Sequence, residues 1–299
     1  MRSSGKPPIR MLVGICAYNE EHNIGKLLQN LLTKQNLSTN NEILVMCSGC
    51  TDRTPQIVRE FSNEDARIKL VIENTRKGKA NALNKIFKKS KESADVLVLV
   101  NADALPRHRS IQKLIFQLKE KKGVAFARPV PLNGMQGVSN RIAHIVWDLH
   151  HNISFYKRPK LSAELCAIRS ECLENIPENI ATDEPYIELF IRKQGYQVSY
   201  VPEAVVYIRC PTSMLDLLKQ RIRIWTGHLQ IQKRTGFAVS TSNFKNTLWT
   251  ISTLKLRDIP YVLLGALLEC LAYLVARLNF SVGKVPYAWE PIKSTKTSI

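Results

Sequence analysis

Residues Val96-Leu97-Val98-Leu99-Val100-Asn101-Ala102-Asp103 decide how this chain is read. Its unbroken apolar run, rich in valine, fits a strand buried on both faces, because a half-solvated strand would alternate apolar with polar residues. The run stops at Asn101, and an acid follows at Asp103. In open α/β sheets ligands bind at the carboxyl ends of the strands, where the following helices point their N-termini into a crevice. Asp103 is therefore the first candidate for chemistry.

Upstream, the same pattern repeats. The apolar stretch Met11 to Cys16 reads as a strand and ends in Ala17-Tyr18-Asn19-Glu20-Glu21, after which Ile24, Leu27, Leu28 and Leu31 fall at helical spacing with Asn19 as the N-cap. Glu42 to Met46 is a second strand. It closes in Cys47-Ser48-Gly49-Cys50-Thr51-Asp52, and Pro55 suits the first turn of a helix reaching about Phe61. Ile68 to Ile72 is a third, followed by Arg76-Lys77-Gly78-Lys79 and a helix from about Ala80 to Lys89. Strand, polar loop and helix in repeated succession predict parallel βαβ units, hence an α/β fold with a mostly parallel central sheet.

Downstream the order loosens. The spacing predicts a helix from Ser110 to Lys121, a short strand at Val124 to Ala127, a proline-rich connection from Arg128 to Leu132, and a helix from Gln136 carrying Val138, Ile142, Ile145, Leu149 and Ile153. Leu161 to Ile168 has strand character. Thr182 precedes Asp183, Glu184 and Pro185 as a helix start with acids in its first turn, Gly195 ends that helix, and Val198 to Val201 and Val205 to Ile208 read as two short strands.

The chain is organised as a lead at residues 1–10, a catalytic domain at 11–210 and a helical, membrane-associated region at 211–299. In the last of these, Leu215, Leu218, Ile222, Trp225 and Leu229 make an apolar stripe flanked by Lys219, Arg221 and Arg223. Ile259 to Ala276 is apolar except for Glu269, barely long enough to cross a bilayer. From Pro211 onward there are 12 Lys and Arg against 4 Asp and Glu. This combination predicts a helix lying in an anionic membrane surface, at the cytoplasmic face, rather than a plain spanning segment.

Composition agrees with a folded enzyme-sized unit. With 299 residues and 44% hydrophobic content the chain can fill a sizeable core, which excludes a disordered protein. A formal charge of +18 predicts attraction to polyanions, whether nucleotide phosphates, lipid headgroups or nucleic acid. Seven cysteines without a paired framework point to a reducing compartment. Cys47 and Cys50 form an isolated C-x-x-C with no second half of a zinc site, and His150, His151 and His228 read as packing or surface residues.

The spaced elements resemble the family 2 glycosyltransferases, whose catalytic domain has the GT-A fold. The matching stretches are Ala17 to Glu21, Gly49-Cys50-Thr51-Asp52-Arg53-Thr54, Gly78-Lys79-Ala80-Asn81-Ala82-Leu83-Asn84, Asn101-Ala102-Asp103, Thr182-Asp183-Glu184 and Gln220-Arg221-Ile222-Arg223, in the family's order. The resemblance implies transfer of a sugar from a nucleotide-diphosphate donor, a UDP-sugar first among them, to a lipid-linked or glycan acceptor with inversion. It implies that Ala17, Tyr18, Asn19 and Glu20 border the nucleoside and that Lys79 holds the donor. Asp103 matches the last acid of the family's Asp-x-Asp motif, which binds Mg2+ or Mn2+ on the donor diphosphate. Asn101 stands where the motif's first acid is common, and the acid pair usual near Cys47 and Ser48 is missing. Thr182-Asp183-Glu184 stands where the family has Thr-Glu-Asp, so register favours Glu184 as the base and residue identity favours Asp183. Gln220, Arg223 and Trp225 resemble the family's Gln-x-x-Arg-Trp motif near the donor phosphates and acceptor, with Trp225 one position late.

Two other classes compete. A nucleotidyltransferase has a similar layout, but the basic glycine-rich phosphate loop it needs after the first strand is missing. A non-enzymatic basic adaptor for membrane or nucleic acid fits the charge; no reader motif is present and aromatic content is only 7%, so no nucleic-acid partner is expected.

Overall fold

The computed structural model describes residues 9–240, 256–284, 286 and 289–296. Residues 1–8 of the lead and residues 241–255 lie outside the described residues. The first strand β1 (Met11–Ala17) is followed by α1 (Ile24–Lys34), β2 (Glu42–Ser48), α2 (Thr54–Glu64), β3 (Ile68–Glu73), α3 (Lys79–Ser93) and β4 (Val96–Val100). β1 pairs in parallel with both β2 and β4, and β2 with β3, so these four strands form the predicted parallel half-sheet. Every residue of β4 is buried. Its alternate side chains enter two different cores: Val96, Val98 and Val100 join the cluster under α1, α2 and α4, whereas Leu97 and Leu99 join the one under α3 and α6. Each such side chain withdrawn from water contributes roughly 1.5–3 kcal/mol. Gly14 is needed in β1 because a Cβ there would stand 2.5 Å from Ile86 Cγ2 of α3.

The second half runs β5 (Ala104–Pro106), α4 (Ser110–Gln117), β6 (Lys122–Pro131), α5 (Val138–Tyr156), β7 (Leu165–Arg169), α6 (Glu184–Lys193), β8 (Gln197–Ile208), α7 (Met214–Thr235) and α8 (Ile259–Ser281). The eight-stranded sheet has the order β3-β2-β1-β4-β7-β6-β8-β5. β7 runs antiparallel between β4 and β6, and β5 antiparallel to β8, while β6 and β8 are parallel.

Several local expectations are corrected here. Asn19 does not cap α1: it adopts φ 53° and exchanges hydrogen bonds with Thr51, and the helix starts only at Ile24, after Glu20 has accepted from the Asn23 and Ile24 amides. The helix from Ser110 ends at Gln117, not Lys121, because the chain turns through Glu120 at φ 53° into β6. The proline-rich stretch is not a loop. Pro129 and Pro131 continue β6 opposite Val206 and Ile208, tolerated because pairing with β7 has stopped at Phe126 and one edge is open there. The two short strands are one, β8, whose register to β6 jumps from Val201 to Val205. The α7 stripe is also reassigned: Leu215 is exposed, and the buried positions are Leu217, Thr226, Gly227, Gln230 and Ile231.

Candidate active site

The carboxyl ends of β1, β2 and β4 form one edge, and the loops there are laced together. Cys50 Sγ donates to Ala17 O at 3.5 Å. The Glu20 amide donates to Thr54 Oγ1 (2.7 Å), and the Glu21 amide to Asp52 Oδ2 (3.1 Å). Tyr18 lies at the same edge with the Arg76 guanidinium 3.9 Å above its ring centroid, a cation–π contact. Where the usual acid pair is missing, the carboxylate at the edge is Glu73 of β3, and Lys85 holds it.

Asn101 is the hub. Its Nδ2 donates to Glu164 Oε2 at 2.7 Å, and its Oδ1 accepts from Lys79 Nζ at 3.2 Å. Lys79 in turn lies 3.1 Å from Asp183 Oδ2. Glu164, Asn101, Lys79 and Asp183 thus form one chain of polar contacts joining the end of β4 to the start of α6. Lys79 begins α3 and so points a cation at this edge. Burial alone would lower its pKa; Asp183 and Glu184 outweigh burial and raise it, keeping the ammonium charged.

Sequence reasoning missed Glu164, and the register explains why it is there. β4 and β7 are antiparallel with Val100 opposite Leu165, so the next pair outward brings Glu164 across from Asn101, whose amide donates to Glu164 O at 3.2 Å. A carboxylate from another strand therefore stands beside the missing first acid. Burial, then the charge of Asp103 and Glu184, pushes Glu164 up to about 8, and burial with Asp103 pushes Glu20 up to about 7. Asp103 lies within electrostatic reach of both carboxylates. Lys296 was missed as well: its ammonium contacts Glu20 Oε1 and donates to Tyr18 O at 3.4 Å. The segment that brings it is tied down through Ser294 to Asp216 and Thr212, and through Trp289 O to Arg76. No local motif marks Lys296; only the tertiary path of the tail shows it.

Opposite this edge, Asp183 and Glu184 have different surroundings. The Asp183 side chain is 7% exposed and turned to Lys79. Glu184 Oε1 accepts from the Ala163 amide at 3.0 Å, and Oε2 is bonded by no described residue. Arg223 of α7 donates to Ala181 O at 3.3 Å, which keeps its guanidinium beside the Asp183 entry.

An acid at a strand end, a lysine at a helix start and two acids beside that lysine stand together here, and residues 12–175 match the model described as "Glycosyl transferase family 2". The chain belongs to glycosyl transferase family 2. Among similar proteins, this family 2 glycosyltransferase is 25% identical over 236 residues to a Bacillus subtilis (strain 168) protein named "Probable glycosyltransferase YdaM", covering 74% of this chain and 56% of that one. It is 22% identical over 237 residues to the poly-beta-1,6-N-acetyl-D-glucosamine synthase of Staphylococcus aureus (strain COL), covering 75% and 56%. The chain spans about half the length of these curated relatives. Its fold is that of the Pyrobaculum calidifontis mannosyltransferase PcManGT, solved in complex with GDP-Man and Mn2+ (TM-score 0.61, 22% identity, 96% of this chain and 82% of that one). It also matches S. aureus TarS 1-349 in complex with UDP-GlcNAc (TM-score 0.51, 16% identity, 92% and 93%). The GT-A fold follows from these likenesses.

Within this family 2 glycosyltransferase, not every motif residue reaches the cleft. Asn84 clamps the segment before Thr182 by exchanging hydrogen bonds with the Ile176 backbone, both at 2.9 Å. Trp225 faces α8, donating to Glu269 Oε2 at 2.8 Å with its ring 5.2 Å from Tyr273. Gln220 is half-buried on α7. Cys47 and Cys50 are free thiols, like the other five cysteines. His150 is buried against Phe126 and Trp147, a packing role.

Proposed function

We propose that this glycosyltransferase moves a sugar from a nucleotide-diphosphate donor, a UDP-sugar first, to a lipid-linked or glycan acceptor, with inversion. The observation that carries the reading is the polar chain from Glu164 through Asn101 and Lys79 to Asp183, which couples the donor edge at β4 to the acids at α6. Lys79 orients the departing diphosphate. Asp183 fixes Lys79, and Glu184, with Oε2 unbonded, takes the proton from the acceptor hydroxyl as it attacks the far side of the sugar. Ala17, Tyr18, Asn19 and Glu20 border the nucleoside, and Arg223 closes the phosphate side. The two solved relatives with bound sugars carry GDP-Man and UDP-GlcNAc, which supports a nucleotide-sugar donor and leaves the base to be measured.

The donor set fits a hard divalent ion. Asp103 offers carboxylate oxygen and lies within electrostatic reach of Glu20 and Glu164, a repulsion that a cation relieves. Among the described residues no group of three or more His, Cys, Asp or Glu makes a closed cage, which suits an open site completed by substrate oxygens. Bound at Asp103, Mg2+ or Mn2+ would neutralise the leaving nucleoside diphosphate. The test is sugar transfer by the purified full chain across UDP- and GDP-sugars with and without Mn2+. Asp103→Ala should cost at least about a hundredfold in rate. Full activity of that variant, or release of pyrophosphate from a nucleoside triphosphate, would overturn the reading.

We also propose that α8 lies in an anionic membrane surface at the cytoplasmic face. By length and composition the helix could cross a membrane. Its packing supports an in-plane position. Leu268, Ala272 and Ala276 are buried and Glu269 is paired with Arg221 of α7, whereas Leu263, Leu267, Leu271, Leu274 and Leu278 are exposed. Those five leucines, three or four apart, make one stripe. Replacing Leu267 and Leu274 together by Glu should sharply reduce sedimentation with anionic vesicles while the folded chain persists. Equal sedimentation of both proteins would sink the idea.

A further inference from the structure

A second set of polar groups lies on the segment that touches Glu184 and on α7, and is not used by the donor. The segment between α5 and β7 is pinned against α6 by three hydrogen bonds: Arg192 Nη2 to Pro159 O (3.0 Å), the Leu161 amide to Glu188 Oε2 (2.9 Å) and the Ala163 amide to Glu184 Oε1 (3.0 Å). Lys160 sits between the Arg192 and Glu188 anchors, so its backbone is fixed along the side of α6, one anchor away from Glu184. Its ammonium makes no hydrogen bond and no ion pair within 4 Å among the described residues, although Glu184, Glu188, Glu269 and Arg221 all lie within its electrostatic reach. Two of those carboxylates are already committed. Glu188 is paired with Arg192 at 2.8 Å, and Glu269 with Arg221 at 2.5 Å and with the Trp225 indole. Burial lowers the Lys160 pKa, an unfavourable setting for a cation without a close partner.

Two more groups, one on this segment and one on α7, have no hydrogen-bond partner among the described residues. Ser162 is 4% exposed and its hydroxyl is unbonded; Nδ1 of His228 is buried and unbonded. His228 stands on the same face of α7 as Arg221 and Trp225, its ring 5.7 Å from Trp225, and it lies within electrostatic reach of Lys160. Burial keeps it neutral, so it can donate one hydrogen bond without adding charge. An ammonium and a hydroxyl from the segment before β7 and an imidazole from α7, each without a hydrogen-bond partner among the described residues, describe a site for a group with several acceptor oxygens and negative charge. A carboxylate offers two oxygens; a phosphate offers more, which suits donors arriving from separate directions.

We propose that the acceptor carries a phosphate group bound by Lys160, Ser162 and His228, which sets its attacking hydroxyl beside Glu184. The inference rests on the reading of Glu184 as the base of a glycosyltransferase. The phosphate belongs either to a lipid-linked acceptor, with the apolar stripe of α8 alongside, or to a soluble phosphorylated glycan.

The experiment uses the full chain with its donor site filled by saturating UDP and Mn2+, and measures binding calorimetrically. Farnesyl phosphate against farnesol is the lipid arm; glucose 6-phosphate against glucose is the soluble arm. In at least one arm the phosphorylated probe should bind about tenfold to a hundredfold tighter, the range of a charged hydrogen bond. Lys160→Met should erase that preference, and Lys160→Arg should keep part of it. UDP binding by Lys160→Met should be unchanged, which also shows that the variant is folded. Whichever arm shows the preference identifies the source. Equal binding of phosphorylated and unphosphorylated probes in both arms, or a preference that survives in Lys160→Met, would overturn the proposal. Loss of UDP binding by the unaltered chain would instead strike the glycosyltransferase reading on which it rests.

Discussion

The two halves of the sheet supply the candidate site in different ways. In the parallel half, β1 to β4, each contributing residue follows its own strand directly: Tyr18 and Glu20 after β1, Asn101 and Asp103 after β4, with Lys79 at the helix start between β3 and β4. In the other half, the candidate residues come from places far apart in the chain: Glu164 before the antiparallel β7, Glu184 at the start of α6, Arg223 on α7, and Lys296 from the tail. The parallel half builds its edge by local repetition. The second half builds by docking, so its function is more sensitive to how helices pack.

The strongest way to test this division is to compare the two acids at α6. Glu184→Gln should lower kcat by about two to four orders of magnitude with KM for the donor little changed, as removal of a general base does. Asp183→Asn should act through Lys79 and weaken donor binding more than it lowers kcat, since its carboxylate is the one held 3.1 Å from that ammonium. The opposite pattern in steady-state kinetics would exchange the two roles.

A smaller effect tests the docking of α7. Gly227 packs so closely on the segment before α6 that a Cβ there would lie 2.0 Å from Thr182 Oγ1. Gly227→Ala should destabilise the protein by about 1–3 kcal/mol in thermal or denaturant unfolding, the usual cost of overpacking. Gly134→Ala, with nothing within 4 Å of its Cβ, should stay within about 0.5 kcal/mol. Equal stability of both variants would mean that α7 is held less firmly than its contacts indicate.

A third test is the acid response of the second half, read as a slope per pH unit. Burial first, then the charge of Lys160, holds the His150 pKa down at about 3, against 6.5 for an ordinary histidine. The unfolded chain therefore takes up the proton before the folded one, so stability is full above pH 6.5 and falls as pH drops toward 3. The slope from this one group is at most about 1.4 kcal/mol per pH unit. His150→Phe should flatten the pH dependence of unfolding free energy in that window by up to this amount. An unchanged slope would place His150 in a wetter setting than its contacts with Phe126 and Trp147 suggest.

How far the chain could be read beforehand follows the same division. β4 was visible from its apolar run, and Asp103 from its place at the end. Asn101 was visible only as a departure from a motif. Its purpose needs Glu164, sixty-three residues later, which an antiparallel register sets opposite it. The α7 stripe was misplaced because helical spacing marks an apolar face but not its partner: Trp225 belongs to the contact with α8, and the face that docks on the catalytic unit is made of Thr226, Gly227 and Gln230. Small and polar residues dock there because backbone must approach backbone. Gln230 illustrates this, accepting from the Ala181 amide at 3.0 Å and donating to Asn179 O at 2.7 Å. No hydropathy pattern reports such a contact.

By itself, the sequence determined the α/β class, the parallel order of the first four strands, the family resemblance and the edge on which Asp103 stands. Those follow from short-range rules: apolar runs become buried strands, and right-handed βαβ connections place successive strand ends side by side. Tertiary structure alone decided what faces that edge. It set Glu164 against Asn101, tied Lys79 to Asp183 rather than Glu184, left Lys160 without a close counter-ion among the described residues and carried Lys296 to Glu20. Interactions between charges depend on distance in space and on exclusion from water, and neither is written in the spacing of residues along the chain.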